Sequence, residues 1–205
     1  MKIDQKCKIC RRAGEKLFLK GDRCFSQKCA MVRNATKPGV HGKSRSNLSE
    51  FGIQLREKQK ARFAYNLSEK QFKNYVTKIS QKRGTGDALI SKLERRLDNV
   101  VYRLGFAGSR SIANQAVGHG HFYVNEKRID IPSYEVKVGD IIEIRPNSKN
   151  SVAFKDLKET FKKYNPPSWL NLDKENLKGE MKSLPAKEDL AVPFNLNLII
   201  EYYSR

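Results

Sequence analysis

Beyond residue 29 the chain contains no cysteine. It has one tryptophan, three methionines and three histidines in 205 residues. No run of about 18 apolar residues occurs, so nothing in it predicts a transmembrane helix. The first twenty residues hold no continuous apolar stretch, which predicts no secretory leader. Acidic residues are scarce, 22 against 41 Lys and Arg, leaving a formal net charge of +19. No Ser/His/Asp order, paired-carboxylate motif or phosphate-binding G-x-x-x-x-G-K-[ST] loop is present, which argues against an enzyme. Local repeats are absent.

What is present begins with the cysteines. All four lie within the first 29 residues, spaced Cys7-x2-Cys10-x13-Cys24-x4-Cys29. Two close pairs across a short loop can place four thiolates around one metal ion. Four thiolates close the coordination sphere, so the expected role is structural. The knuckle spacing of the first pair favours zinc, with an iron–sulfur cluster as the alternative. A disulfide reading is weaker, because cytosolic thiols stay reduced. Residues 1–34 are too few to build a core alone, so a bound ion would supply their folding energy.

The positive charge is uneven. Residues 1–45 hold 13 Lys and Arg against 3 acids, residues 46–110 hold 14 against 6, residues 111–150 hold 5 against 5, and residues 151–205 hold 9 against 8. Such a field draws polyanions, and contact concentrates in the first half. The near-neutral last third suits a protein neighbour or packing back on the fold. Lys43 and Arg45 lie in a Gly- and Pro-rich loop over 34–47, where backbone can approach phosphates closely. Together with Arg83, Arg110, His119 and Lys127 they are candidate phosphate contacts.

Periodicity predicts the elements. Asn47 and Glu50 form a capping-box-like start for a helix to about Tyr65, and Ser68 with Gln71 a second. Phe72, Tyr75, Val76 and Ile79 then recur on one helical face. Leu89, Leu93, Leu97, Val100, Val101 and Leu104 continue at helical spacing to Gly105. Ser109 starts a further helix that buries Ile112, Ala113, Ala116 and Val117. Alternation follows at Phe122 and Val124, a turn over 125–128, Ile129 and Ile131, then Ile141–Ile144. A helix is expected from about 152 to 164, stopped by Pro166-Pro167. The apolar end, 196–203, reads as β-rich and packed. The expected fold class is α+β. The expected segments are a metal module with basic loop over 1–47, a helical domain over 48–92, an α/β module with a small strand-rich sheet over 93–150, and a helix with a β-rich C-terminal segment over 151–205 whose last residues pack on the first domain.

Several motifs in this order resemble the small-subunit ribosomal protein S4 family. They are the four cysteines, Pro38-Gly39-Val40-His41-Gly42, Leu55-Arg56-Glu57-Lys58-Gln59-Lys60, and Arg96 through Phe106. Gly118-His119-Gly120-His121, Pro132-Ser133-Tyr134 and the closing Glu201-Tyr202-Tyr203-Ser204-Arg205 complete the set. The cysteines resemble the zinc-binding bacterial branch. The resemblance implies a structural constituent of the small ribosomal subunit, cytoplasmic in the ribosome. It implies binding at the five-way junction of the 5′ domain of small-subunit ribosomal RNA, nucleation of assembly and an influence on decoding accuracy. Ribosomal protein S5 and messenger RNA at its entry channel are the implied neighbours. Carried over by position, Ser109, Arg110, His119, His121, Asn125, Lys127 and Arg128 face RNA. Two alternatives remain open from the residues alone: an RNA-modifying enzyme that shares the RNA-binding module, and a zinc-dependent nucleic-acid-binding regulator.

Overall fold

The computed structural model describes residues 5–42, 47–81, 86–149, 151, 154–155, 157–186 and 192–204. The chain divides into two compact units, Met1–Ile90 with Val192–Arg205, and Ser91–Ala191.

In the first unit, α1 (Lys6–Ala13) ends at Gly14, whose φ of 81° lets its N–H reach the Cys10 carbonyl at 2.9 Å. A 3-10 turn (Gly21–Cys24) and the short α2 (Ala30–Arg33) follow. The next helix, α3 (Glu50–Ala64), is capped by Ser49, whose Oγ accepts from the Gly52 N–H at 3.3 Å. The sequence favours Asn47 for this role, but Ser49 is the residue within reach of the first free N–H groups. α4 (Glu69–Gln81) starts at Ser68 as predicted, with Ser68 Oγ accepting from Gln71 N–H at 3.3 Å, and buries Phe72 and Val76.

Helix α3 has no apolar stripe. It buries Gln54, Glu57, Lys58 and Lys60 beside Ala61 and Ala64. Burying charge requires partners, and each has one. Lys58 pairs with Glu69 at 2.7 Å, and Lys60 with Glu15 and Glu57 at 2.8 Å each. The backbone N–H of Asn195 donates to Glu57 at 2.8 Å, and Gln54 donates to Glu201 at 3.2 Å.

The C-terminal run corrects the β-rich expectation. Residues Leu196–Ser204 form a helix, packed on α3 and α4. Ile and Tyr favour strands, but propensity is a weak prior that packing overrides. Leu196, Ile199 and Tyr203 share a helical face. Ile199 is fully buried, and Tyr203 donates to Glu69 at 2.8 Å beside the Phe72 ring. That bond and burial push the Tyr203 hydroxyl far above its ordinary value, burial being the larger cause.

The second unit is a mixture of helices and one small antiparallel sheet. Helix α5 (Gly86–Glu94) leads into it and α6 (Leu97–Arg103) follows. The sequence predicts one continuous helix through both. The chain instead extends at Arg96, which bridges antiparallel to Glu135, while Leu97 N–H reaches the Tyr134 carbonyl at 2.8 Å. The Arg96 guanidinium grips Asp98 through two bonds of 3.0 and 2.8 Å in a buried setting, which holds the break. Next comes α7 (Arg110–Gly118), capped by Ser109 as the sequence predicts.

Among the described residues five strands follow: β1 (Phe122–Val124), β2 (Lys127–Ile129), β3 (Ile141–Ile144), β4 (Leu170–Asp173) and β5 (Lys178–Met181). They pair in the order β2-β1-β3-β5-β4, all antiparallel. The turn between β1 and β2 is tighter than expected, only Asn125 and Glu126, both at positive φ (49° and 66°), which matches the twist of paired strands. A helix, α8 (Leu157–Lys163), is shorter than expected at its described start. One sheet face carries Phe122, Ile142 and Met181 into a core with Leu97, Phe106, Val117, Phe161 and Trp169. Gly179 lies so close to Leu104 that a Cβ there would clash at 2.3 Å, which explains a glycine inside β5. Among the described residues no helix is long and apolar enough to cross a membrane.

Candidate nucleic-acid interface

Cys10 lies on α1, Cys24 ends the 3-10 turn and Cys29 precedes α2. These three are buried, Cys7 is half-buried, and all four are free thiols. Burial pushes the Cys10 thiol above its ordinary value, the Leu17 backbone N–H pulls it down, and Cys24, Cys7 and Cys29 push it up again. The Lys20 N–H points at Cys24 Sγ at 3.3 Å. Among the described residues, no three Cys, His, Asp or Glu side chains are drawn together closely enough to hold an ion as they stand. The donor set itself, four thiols with an N–H donor turned to sulfur, suits a soft divalent ion.

Beside this cluster α1 and α3 enclose a cleft of about 600 Å³. Lys8, Arg12, Lys37 and Arg56 line it together with Ile9, Leu55 and Phe63. Among the described residues no carboxylate pairs with those four cations. Arg62 lies over the Phe63 ring at 4.4 Å, and its Nε, like Oε1 of the cleft-lining Gln59, has no hydrogen-bond partner among the described residues. In the sequence the cations of α3 are simply spaced along a helix. That α1 meets α3 to gather them is a tertiary fact with no local signal.

The second gathering lies in the other unit. His119 ends α7, is exposed, and meets His121 edge-on at 5.8 Å. Gly120 between them, at φ 69°, lies under the Arg128 guanidinium, where a Cβ would fall 2.4 Å from Arg128 Nε. The His121 carbonyl accepts from Arg145 N–H at 2.9 Å, and its Nδ1 meets Ser148 Oγ at 2.9 Å. So His119, His121 and Arg128 gather around Gly120, with Arg145 joined through its backbone to His121, and among the described residues no carboxylate pairs with these four. Arg145 was missed in the sequence because it follows a strand with no motif around it. Lys127 is exposed on β2. Asn125 is committed to the turn: its Nδ2 donates to Asp140 at 2.8 Å and its Oδ1 accepts from Ile141 N–H at 3.0 Å.

Ser109 and Arg110 are turned inward. The Ser109 hydroxyl is 1% exposed and occupied with capping. Arg110 donates to Asn99 Oδ1 at 2.6 Å, lies 4.7 Å from the Tyr102 ring and 3.8 Å from Glu94. Lys43, Arg45 and Arg83 fall outside the described residues.

Burial holds His121 below the ordinary histidine value, with His119 and Arg145 adding to the effect. The unfolded chain therefore binds this proton more readily than the folded one. The stability it contributes is present above about pH 6.5 and is lost as pH falls below that. A melting series from pH 7.5 to 5 should show a declining midpoint, and His121→Gln should flatten it. An equally steep decline in the variant would assign the effect elsewhere.

Residues 2–94 match the ribosomal protein S4/S9 N-terminal domain, and residues 95–142 match the S4 domain. The chain is 53% identical over 204 residues to small ribosomal subunit protein uS4 of Syntrophomonas wolfei, covering 98% of each. It is 50% identical to uS4 of Caldicellulosiruptor bescii over 99% of this chain and 98% of that one, and 52% identical to uS4 of Acetivibrio thermocellus over 97% and 96%. The chain belongs to the ribosomal protein S4 family. In this S4-family chain the two matched regions meet between residues 94 and 95, where the helix breaks ahead of Arg96. The cysteines and the basic cleft fall in the first region, and the His119–Arg128 cluster in the second. Strands β4 and β5, which complete the sheet, lie beyond both.

Proposed function

We propose that this chain is a structural constituent of the small ribosomal subunit, working in the cytoplasm, which binds small-subunit ribosomal RNA and has no catalytic role. The full-length identity to uS4 proteins carries the reading. The charge supports it: +19 in total, gathered at the α1–α3 cleft and at the His119–Arg145 cluster. Folded RNA is read by shape, phosphates and 2′-hydroxyls, which calls for placed cations and no reactive pocket. The RNA target is the 5′-domain junction, and binding there seeds subunit assembly and influences decoding accuracy. Ribosomal protein S5 and messenger RNA at the entry channel are neighbours in this proposal.

The same proposal gives the N-terminal cluster one zinc ion, held by Cys7, Cys10, Cys24 and Cys29. Zinc would supply cross-linking energy and no chemistry. The four residues would fasten α1, the 3-10 turn and α2 to one another, and Lys8, Arg11 and Arg12 would offset the charge of the thiolates. Metal analysis of protein purified without added zinc tests the ion's identity.

Filter binding of the purified chain to the folded 5′ domain should show tight association that weakens roughly a thousandfold between 50 and 200 mM salt, the fall for about six phosphate contacts. Equal affinity for unrelated structured RNAs would overturn the assignment.

A further inference from the structure

The cysteine module presents an aromatic pair that neither core nor metal explains. Phe25 directly follows the turn that buries Cys24, yet its own side chain is 71% exposed. The Phe18 ring stacks on it, with centroids 5.1 Å apart and planes 28° from parallel. Phe18 holds this place at φ 52°, a left-handed conformation that bulky residues avoid. The turn is braced on both sides. Phe25 N–H donates to the Asp22 carbonyl at 3.1 Å, Ser26 Oγ donates to the Arg23 carbonyl at 3.1 Å, and Lys28 N–H reaches Ser26 Oγ at 3.3 Å. Lys20, Arg23 and Lys28 lie within five residues of Phe25 in the sequence, all exposed and, among the described residues, without a carboxylate partner. Asp22 is the single acid between residues 20 and 28.

We propose that the Phe18–Phe25 pair is a stacking platform for one unpaired nucleobase of the RNA, with Lys20, Arg23 and Lys28 holding the adjacent phosphates. Every base has a π face, so an exposed ring within a cationic rim captures an unstacked nucleotide without needing a base-specific hydrogen bond. The braced turn keeps the ring presented before RNA arrives, which lowers the entropy lost on binding. A protein partner fits less well, because three uncompensated cations would have to be desolvated against it. The inference rests on the RNA-binding reading above.

The test uses the full chain and the folded 5′ domain of small-subunit ribosomal RNA. Phe25→Leu keeps an apolar side chain and removes the π face, and it should weaken binding about tenfold with melting midpoint and metal content unchanged. Phe25→Tyr should bind within about twofold of the parent chain. Phe25→Trp should bind well, with its emission quenched when RNA is added. Parent-like affinity of Phe25→Leu overturns the platform and leaves the RNA-binding reading standing. A parent chain that does not bind this RNA overturns both. A Phe25→Leu chain that binds RNA normally but fails to enter assembled subunits makes the pair a protein contact and overturns the proposal.

Discussion

If the proposed zinc is held by the four cysteines, chelation should release residues 5–42 to unprotected amide exchange while residues 97–144 keep their protection. The reasoning is one of scale. The buried apolar side chains around the cysteines are few: Cys10, Leu17 and Leu19, with Ile9, Ala13, Met31 and Phe63 packed against them. Fully burying a leucine stabilises by about 1.5–3 kcal/mol, whereas ordering a residue costs about 1–2 kcal/mol in backbone entropy. Nearly forty residues with few regular hydrogen bonds cannot be held by that core. A structural zinc contributes about 10–16 kcal/mol at pH 7, enough to decide the matter. The double substitution Cys7→Ser with Cys24→Ser should reproduce the chelator, and both should weaken RNA binding. Hydrogen exchange resolved by segment is the measurement, and protection in residues 5–42 that survives chelation would remove the metal from the account.

The other large effect belongs to Glu94. Its side chain is fully buried at the end of α5. It accepts from Asn99 Nδ2 at 2.6 Å and from Arg103 at 3.0 and 2.8 Å, with Arg110 at 3.8 Å. Arg103 and Arg110 are themselves mostly covered, 22% and 15% exposed. Glu94→Gln keeps the shape and removes the charge, leaving two guanidinium groups facing a neutral amide. Breaking a buried pair in this way costs about 3–5 kcal/mol. The melting midpoint of the chain should then fall by roughly 6–20 °C. Glu126→Gln, on the exposed turn, is the control and should move it little. A Glu94→Gln chain that melts like the parent would mean that the two arginines find their compensation elsewhere.

Local signals were readable where a single residue decides the backbone. Ser68 and Ser109 mark helix starts because a hydroxyl at that position meets a free N–H three residues on. Sequence patterns fell short where distant partners decide. Residues 89–104 have an unbroken helical stripe, yet Arg96 extends because Glu135 and Asp98 hold it there. The run 196–203 contains strand-forming residues, yet α3 and α4 give it a surface that only a helix can cover. Lys58 and Lys60 look like a solvated face until Glu69, Glu15 and Glu57 are brought to them. The same split holds for the interface. Motifs pointed to His119, His121 and Arg128, whereas Arg145 and the cations of the α1–α3 cleft converge only after folding.

The last helix has a consequence for how the polypeptide is made. Residues Ser91–Ala191 are one uninterrupted stretch, but the first unit is finished by Val192–Arg205. Glu57, Gln54 and Glu69 wait for Asn195, Glu201 and Tyr203, which are translated after the second unit. Vectorial synthesis usually lets the N-terminal portion mature first. Here the nascent chain can complete residues 91–191 before the first unit, and a stop codon ahead of residue 192 would leave that unit unfinished.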